Sequence, residues 1–322
     1  MNTSKIPSSL RPLAPRLAET ALGLRARWGR GGVIVTNHIH DGVEIRAQVE
    51  ALAPFFEFVH HDDLIRDPWQ PRKKPFCLLT FDDGKRVNFE AALELEKLGV
   101  PAVFYICTRF VGGSKALWFD TADTLRHAHP ELEPELRLGK LKSLPLKTLE
   151  AHLENLRRPD SPPTDLTDPR ISALSREQVR TMHRRGFTIG AHTQNHAILT
   201  HEPVEEAKRD IVDSMRDVQS ITGARCRTFA FPNGNHTREL ADFAVGQGAE
   251  TVMTTVPAWA GPADLLRQLP RIELHPKHDA ETIRVKLTAS LSGCVLRDPN
   301  GTGRKYVTKR FQQRLAARDR LR

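Results

Sequence analysis

Apolar and polar positions along this chain follow two rhythms that take turns. Short stretches dominated by apolar and β-branched residues lie at 33–37, 76–81 (FCLLTF), 102–107 (AVFYIC), 187–192 (FTIGAH), 227–231 (RTFAF) and 251–255 (TVMTT). Runs of this length, bounded by turn residues, predict strands, and those apolar throughout suit burial on both faces. A further strand is expected near 56–60. Between the strands the spacing becomes helical. A helix is predicted near 42–53, and another from a cap at Asn88 through Leu98, with Gly99 as its stop and Pro101 beyond. Ser175 and Gln178 form a capping box for a helix ending at Gly186. Over 203–221, Val204, Ala207, Ile211, Met215 and Val218 share one face. Thr237 caps a further helix.

From Trp118 to Arg158 the rhythm is lost. That stretch is polar, helical in flavour and irregular, and it runs into the Pro-rich segment RPDSPPTDLTDPR (158–170). An insertion over about 118–170 is the reading. The strand–helix alternation around it predicts an α/β fold, a parallel sheet covered by helices, open or closed into a barrel. In both architectures the functional residues collect where strands end and loops begin.

Composition narrows the classes. At 322 residues, with 39% hydrophobic and 27% charged residues, the chain is of globular type with enough length for a full core. No stretch approaches 18 apolar residues and the N-terminus lacks an apolar h-region, so neither a membrane helix nor a signal peptide is predicted, and a cytoplasmic location is expected. Cys77, Cys107, Cys226 and Cys294 show no metal-ligand spacing and read as small buried hydrophobes in a reducing compartment.

The net charge of +9 is concentrated at the end. Residues 304–322 hold eight Lys or Arg and one acid, Asp319, and so carry +7 of it. The tail reads as a solvated basic helix end, with peripheral contact to an anionic inner membrane face as the functional alternative. Only Tyr306 and Phe311 interleave with these cations, so no nucleic-acid partner is expected.

The candidate chemistry sits at three strand exits. CLLTFDDG (77–84) ends a buried strand on Asp82 and Asp83. Two adjacent carboxylates repel unless something positive lies between them, and inside a strand they would point to opposite faces. At the strand's exit the backbone is free to turn and both can reach one cavity. GAHTQNH (190–196) follows the second exit, and His192 and His196, four apart, can present both imidazoles to one side of a compact loop. FAFPNG (229–234) marks the third, where Pro232 and Gly234 fix a tight loop whose backbone N–H groups can face the same cavity. Each piece alone has a plain structural explanation. Together, two imidazoles and a carboxylate make a catalytic metal site of hydrolase type, with one Asp on the metal and the other left to take a proton.

In this order TFDDG, HTQNH and FPNG closely resemble the polysaccharide deacetylase family, also called the NodB-homology or carbohydrate esterase 4 family. The resemblance runs from about Gly32 to Gly293 and includes VIVTNHIHDG (33–42), the helix Leu174–Gly186 and the segment LPRI. It implies a distorted (β/α) barrel with fewer than eight strands, here with a helical insertion, flanked by an N-terminal extension (1–31) and the basic tail (294–322). It also implies a divalent metal, usually zinc, and hydrolysis of the N-acetyl group of an amino sugar. Carried over position by position, Asp82 is the general base, Asp83, His192 and His196 are the metal ligands, and the Asn233 N–H helps hold the oxyanion. Thr193 and Asn195 shape the histidine loop.

The sequence departs from the family in two places. An Arg often stands two residues before the Pro of the third motif, where it braces the base; here that position is Ala230. Arg271 is the candidate to supply a guanidinium from another strand, against a plain surface Arg after Pro270. The family's acid is a His in a late strand, and His275 in IELH (272–275) is the candidate, against a peripheral loop His. His38 and His40 read as structural, and Trp118 and Trp259 as buried packing in preference to a sugar platform. The expected activity is metal-dependent removal of N-acetyl groups from an amino-sugar glycan or precursor. Hydrolysis of another non-peptide C–N amide and non-catalytic glycan binding remain the alternatives.

Overall fold

The computed structural model describes residues 31–291 except 263 and 265. The N-terminal extension up to residue 30, Cys294 and the basic tail lie outside the described residues. Among the described residues there are eight strands: β1 (Gly32–Asn37), β2 (Glu57–Phe58), β3 (Phe76–Phe81), β4 (Ala102–Ile106), β5 (Thr188–Ala191), β6 (Thr228–Ala230), β7 (Thr251–Met253) and β8 (Ile272–Glu273). The principal helices are α1 (Gly42–Leu52), α2 (His61–Arg66), α3 (Val87–Leu98), α4 (Trp118–Ala128), α5 (Leu146–Leu156), α6 (Arg176–Arg184), α7 (Val204–Thr222), α8 (Arg238–Gly246) and α9 (Ala280–Leu291). In ladder order the strands run β7-β6-β5-β4-β3-β1-β8, a seven-strand path, while the two-residue β2 pairs with β3 off that path.

The chain divides into two compact units. The first takes residues up to Thr80, Ala91–Val103 and Met253 onward; the second takes Phe81–Glu90 and Phe104–Val252. In the first, β1 is buried along its whole length and lies parallel to β8, with Val35 opposite Ile272. Gly32 is required there because a Cβ would stand 2.1 Å from the Phe76 carbonyl oxygen. Helix α1 opens on a capping box of Asp41 and Glu44 and buries Ile45, Val49 and Leu52. Trp259 packs against Phe56 and donates its indole N–H to the Leu287 carbonyl, so the packing role expected of it holds.

In the second unit, β5 runs parallel to β6 with Ala191 opposite Phe229. Gly190 lets the strand pass a ring: a Cβ there would meet the Tyr105 ring at 2.5 Å. The Tyr105 hydroxyl pairs with Thr228 Oγ1 at 2.7 Å, and Thr228 with Thr251 Oγ1 at 2.7 Å, a buried hydroxyl chain that links β4, β6 and β7. The expected capping box of Ser175 and Gln178 starts α6, and Thr237 caps α8. Helix α7 buries Ala207, Ile211, Met215 and Val218 as its spacing requires. Val204 departs from the predicted face: it is 49% exposed, because it is the first helical residue after Pro203 and the helix has yet to meet the sheet.

Other differences are local. The strand expected at 56–60 is two residues long and gives way to α2, which the pattern did not announce. Asn88 does not cap α3; it lies within the first turn and is fully buried. The irregular insertion is a packed layer with its own core of Trp118, Ala122, Leu125, Leu136, Leu141, Leu149 and Leu153. Its short helical pieces, four residues each at 133–136 and 138–141, are too brief to show a periodicity.

Arg271 is no surface residue. It is fully buried in the first unit, its Nε donating to the Thr254 carbonyl at 2.9 Å and a terminal nitrogen to Thr80 Oγ1 at 3.2 Å. Thr80 Oγ1 in turn donates to the Val35 carbonyl at 2.8 Å. Arg271→Met would leave two buried groups without their charged donor, so we expect a loss of about 2–4 kcal/mol, read from urea unfolding midpoints. A loss below about 0.5 kcal/mol would contradict this account of the buried guanidinium.

Candidate metal centre

The second unit brings the first two exits to one point. Leaving β3, the chain turns at Asp83, whose φ of 78° places it in the left-handed region, and Gly84 continues the turn with φ 85°. The Asp83 carbonyl accepts the Cys107 N–H at 3.2 Å, which ties the turn to the end of β4. Leaving β5, His192 donates its backbone N–H to the Ile106 carbonyl at 3.0 Å. Thr193 and His196 then bend the loop with φ 64° and 59°. Among the described residues the non-glycine positions with positive φ are Asp83, Thr193, His196 and Asn233, one or more in each of the three motifs. Asp, Asn and His tolerate this region; a β-branched Thr does not, and residues held there typically cost about 1–3 kcal/mol. The strain is spent where side chains must converge.

They do converge. Ligand atoms of Asp83, His192 and His196 all lie within 4.8 Å of one another. Asp83 Oδ1 is 3.4 Å from His196 Nε2 and 3.7 Å from His192 Nε2, and Asp82 Oδ2 is 3.9 Å from His192 Nε2. All four residues are buried, the two aspartates at 2% exposure. The His192 Nδ1 sits 2.8 Å from the Ala230 carbonyl, to which it donates, and this leaves Nε2 as the lone-pair nitrogen facing the carboxylates. Thus Ala230, where an Arg was expected, contributes through its backbone.

This donor set suits a divalent cation. With bonds of about 2.0–2.2 Å in a tetrahedral site, ligand atoms stand ~3.4 Å apart, close to the observed spacings. Two imidazoles and one carboxylate are a donor set of the kind that catalytic metal sites use. The fit is that of an Asp–His–His cradle.

The loop is held from below by α7. Asp210 accepts the Gln194 N–H at 2.8 Å, and Asp217 accepts both the Thr108 hydroxyl at 2.7 Å and the Gln194 side-chain amide at 3.1 Å. Burial pushes the Asp210 carboxyl up to about 7, against the opposing pull of the Gln194 N–H and of Arg109.

The insertion also borders the centre. Trp118 is buried and donates its indole N–H to the His196 carbonyl at 3.2 Å, and the Phe119 ring meets the His196 ring edge-on at 5.1 Å. Lys85, directly after TFDDG, is 1% exposed; it pairs with Asp120 and stands over the rings of Phe110 and Phe119 at 5.2 and 4.9 Å. Burial raises the Asp120 carboxyl to about 6 despite that lysine. Lys142 reaches the third motif, donating to Asn233 Oδ1 at 2.7 Å. A lysine following an acidic turn reads as solvated, so nothing in the sequence announced these contacts. Pro232 is buried and opens the turn that holds Asn233.

The remaining candidates lie in the first unit. Besides the buried Arg271, His275 is half-exposed, its N–H donating to His278 Nδ1 at 3.0 Å and its Nε2 3.8 Å from Glu273. Burial holds its imidazole below the usual value. His40 is buried beside Gln48, and desolvation together with His38, His275 and His278 lowers it to about 3, which keeps it neutral. No helix among the described residues is long and apolar enough to cross a membrane.

A family model described as polysaccharide deacetylase matches residues 70–252, which include all three motifs. No curated protein matches the chain. Among solved structures it is similar to the deacetylase PplD of Streptococcus pyogenes, with TM-score 0.55 and 17% identity over 79% of this chain and 97% of that one. IcaB from Ammonifex degensii gives TM-score 0.55 and 18% identity over 80% and 97%. A de-N-acetylase from Aggregatibacter actinomycetemcomitans gives 0.54 and 15% over 80% and 99%. At these identities the likeness is one of fold, and it identifies the parallel sheet and its helices as the distorted (β/α) barrel implied by the motifs.

The buried carboxylate under the loop gives a pH signature. In the unfolded chain Asp210 ionises near ~3.9, and in the fold only near 7, so the folded state loses stability as pH rises through that window and recovers none above it. Asp210→Asn keeps an acceptor for the Gln194 N–H and has no proton to lose. We expect it to match the wild type near pH 4 and to exceed its urea midpoint above pH 7; an equal difference at both would contradict the burial of this group.

Proposed function

The chain belongs to the polysaccharide deacetylase family, and from that premise we propose that it is a metal-dependent hydrolase that removes N-acetyl groups from an amino-sugar-containing glycan or glycan precursor. The observation that carries this reading is the buried Asp83–His192–His196 cradle with a second carboxylate, Asp82, beside it and outside the ligand set. A divalent cation held by those three residues, most simply zinc, supplies Lewis acidity toward the acetyl carbonyl and makes a neighbouring water more acidic.

The chain's own groups do the rest. Asp82 takes a proton from the attacking water as its oxygen bonds to the acetyl carbon. The backbone N–H of Asn233, set by the turn at Pro232 and the left-handed Asn233, donates to the oxyanion that develops on the former carbonyl oxygen. The C–N bond then breaks, acetate leaves, and the amine nitrogen needs a proton. His275 is the proposed donor; its lowered pKa makes it a readier acid once protonated. Arg271 acts one step back, through Thr80 at the end of the strand that delivers Asp82.

Elemental analysis of the purified chain should find close to one divalent ion per molecule, lost in His192→Ala and in His196→Ala. Asp82→Asn should keep the ion and lower acetate release from N-acetylated oligosaccharides by about 10²–10⁴-fold. Full turnover in Asp82→Asn would sink the assigned base, and no ion in the reconstituted wild type would sink the metal reading.

A further inference from the structure

A groove of about 280 Å³ in the second unit runs up to the histidine loop without containing any of the ligands. Its lining includes Arg109, Ser114, Lys115, Trp118, Glu150 and Asn195. Both walls are hydrogen-bonded to that loop. On one side the Thr108 and Arg109 N–H groups donate to the Thr193 and Gln194 carbonyls at 3.1 and 3.0 Å. On the other, Trp118 donates to the His196 carbonyl. Asn195, between the two histidines in sequence, forms the end where the groove meets the loop. The turn that carries Ser114 and Lys115 depends on Gly112, at φ 73°, and on Gly113, where a Cβ would press on two carbonyl oxygens at 3.0–3.1 Å.

The polar groups lining this groove are uncommitted. Among the described residues, Lys115 and Glu150 make no ion pair, and the side chains of Ser114 and Asn195 make no hydrogen bond. The Arg109 guanidinium has only a longer-range pull on Asp210. Two free cations, a hydroxyl and an amide face a single carboxylate, which is the lining of an anion subsite and not of a neutral sugar platform. The volume lies just below the usual range for small-ligand cavities, about 300 Å³ and upward, and so suits one sugar unit with its substituent.

We propose that this groove holds a negatively charged substituent, carboxylate or phosphate, on the saccharide unit next to the one whose acetamide reaches Asp83, His192 and His196, so that the substrate is an acidic glycan. The assignment rests on the deacetylase reading for its place in a reaction, but the groove's charge preference can be measured apart from turnover.

The test is calorimetric binding by the full-length Asp82→Asn chain. Three N-acetylated oligosaccharides of equal length serve as probes: one neutral, one phosphorylated and one containing a uronate. At least one acidic probe should bind about tenfold more tightly than the neutral one, with the gap shrinking at about 0.5 M salt. Whichever acidic probe gains identifies the source of the charge. Replacing Arg109 and Lys115 together by Gln should close the gap, and Glu150→Gln should widen it about threefold by removing the opposing charge. Should the double variant fail to fold, Glu150→Gln carries the test alone. Equal affinity for neutral and acidic probes, or a preference that no variant moves, overturns the subsite. Acetate release is then followed with the metal-loaded wild type on the same probes. Its absence from all of them would overturn the deacetylase reading while leaving a measured charge preference in place.

Discussion

Asp82 and Asp83 stand side by side with almost no water around either, and every other feature of the centre answers that constraint. Two bare carboxylates in such a place repel, and each ionised group is costly to desolvate. A positive charge about 4 Å from both contributes ~4 kcal/mol per pair at an effective dielectric near 20, enough to offset the repulsion. Asp83, His192 and His196 lie close enough together that they could hold such a charge as a metal ion. His192 has its Nδ1 engaged with the Ala230 carbonyl, so its other nitrogen faces the carboxylates with a lone pair. The left-handed turns at Asp83, Thr193 and His196 are the backbone conformation that this convergence requires.

Local strain of that kind persists only where the surroundings over-determine it. Here the surroundings are ordered in layers. The strand ends lock the two turns to each other through the Asp83 carbonyl and the His192 N–H. Asp210 and Asp217 on α7 grip the histidine loop from one side. The insertion grips it from the other, through Trp118, and fastens itself to the acidic turn through the Lys85–Asp120 pair, whose ammonium is further enclosed by Phe110 and Phe119. The insertion is therefore part of the wall of the centre. Its reach to Asn233 through Lys142 extends that wall to the third motif.

The first unit contributes a different kind of order. Arg271 is a buried cation that donates to the Thr254 carbonyl and to the Thr80 hydroxyl, two groups far apart in sequence. The histidines at 38, 40, 275 and 278 crowd one another; the deepest, His40, is kept neutral by burial and by its neighbours. His275 is the more exposed of His40 and His275 and remains the proposed donor.

What the sequence determined by itself was whatever depends on local chemistry. Buried strands were legible because a strand covered on both faces must be apolar at every position, and caps such as Ser175 and Thr237 because their side chains bond within the same turn. The three motifs were legible because each packs its functional residues into four or five consecutive positions at a strand exit. Only the tertiary structure decided what depends on distance. A lysine next to two aspartates looks solvated until an insertion closes over it. An arginine after a proline looks exposed until a sheet encloses it. A polar, irregular stretch hides its leucine core because helices of four residues carry no period. The burial of Lys85, Arg271 and Asp210 is set by neighbours tens of residues away, and desolvation is a property of the folded surroundings that no run of adjacent residues encodes.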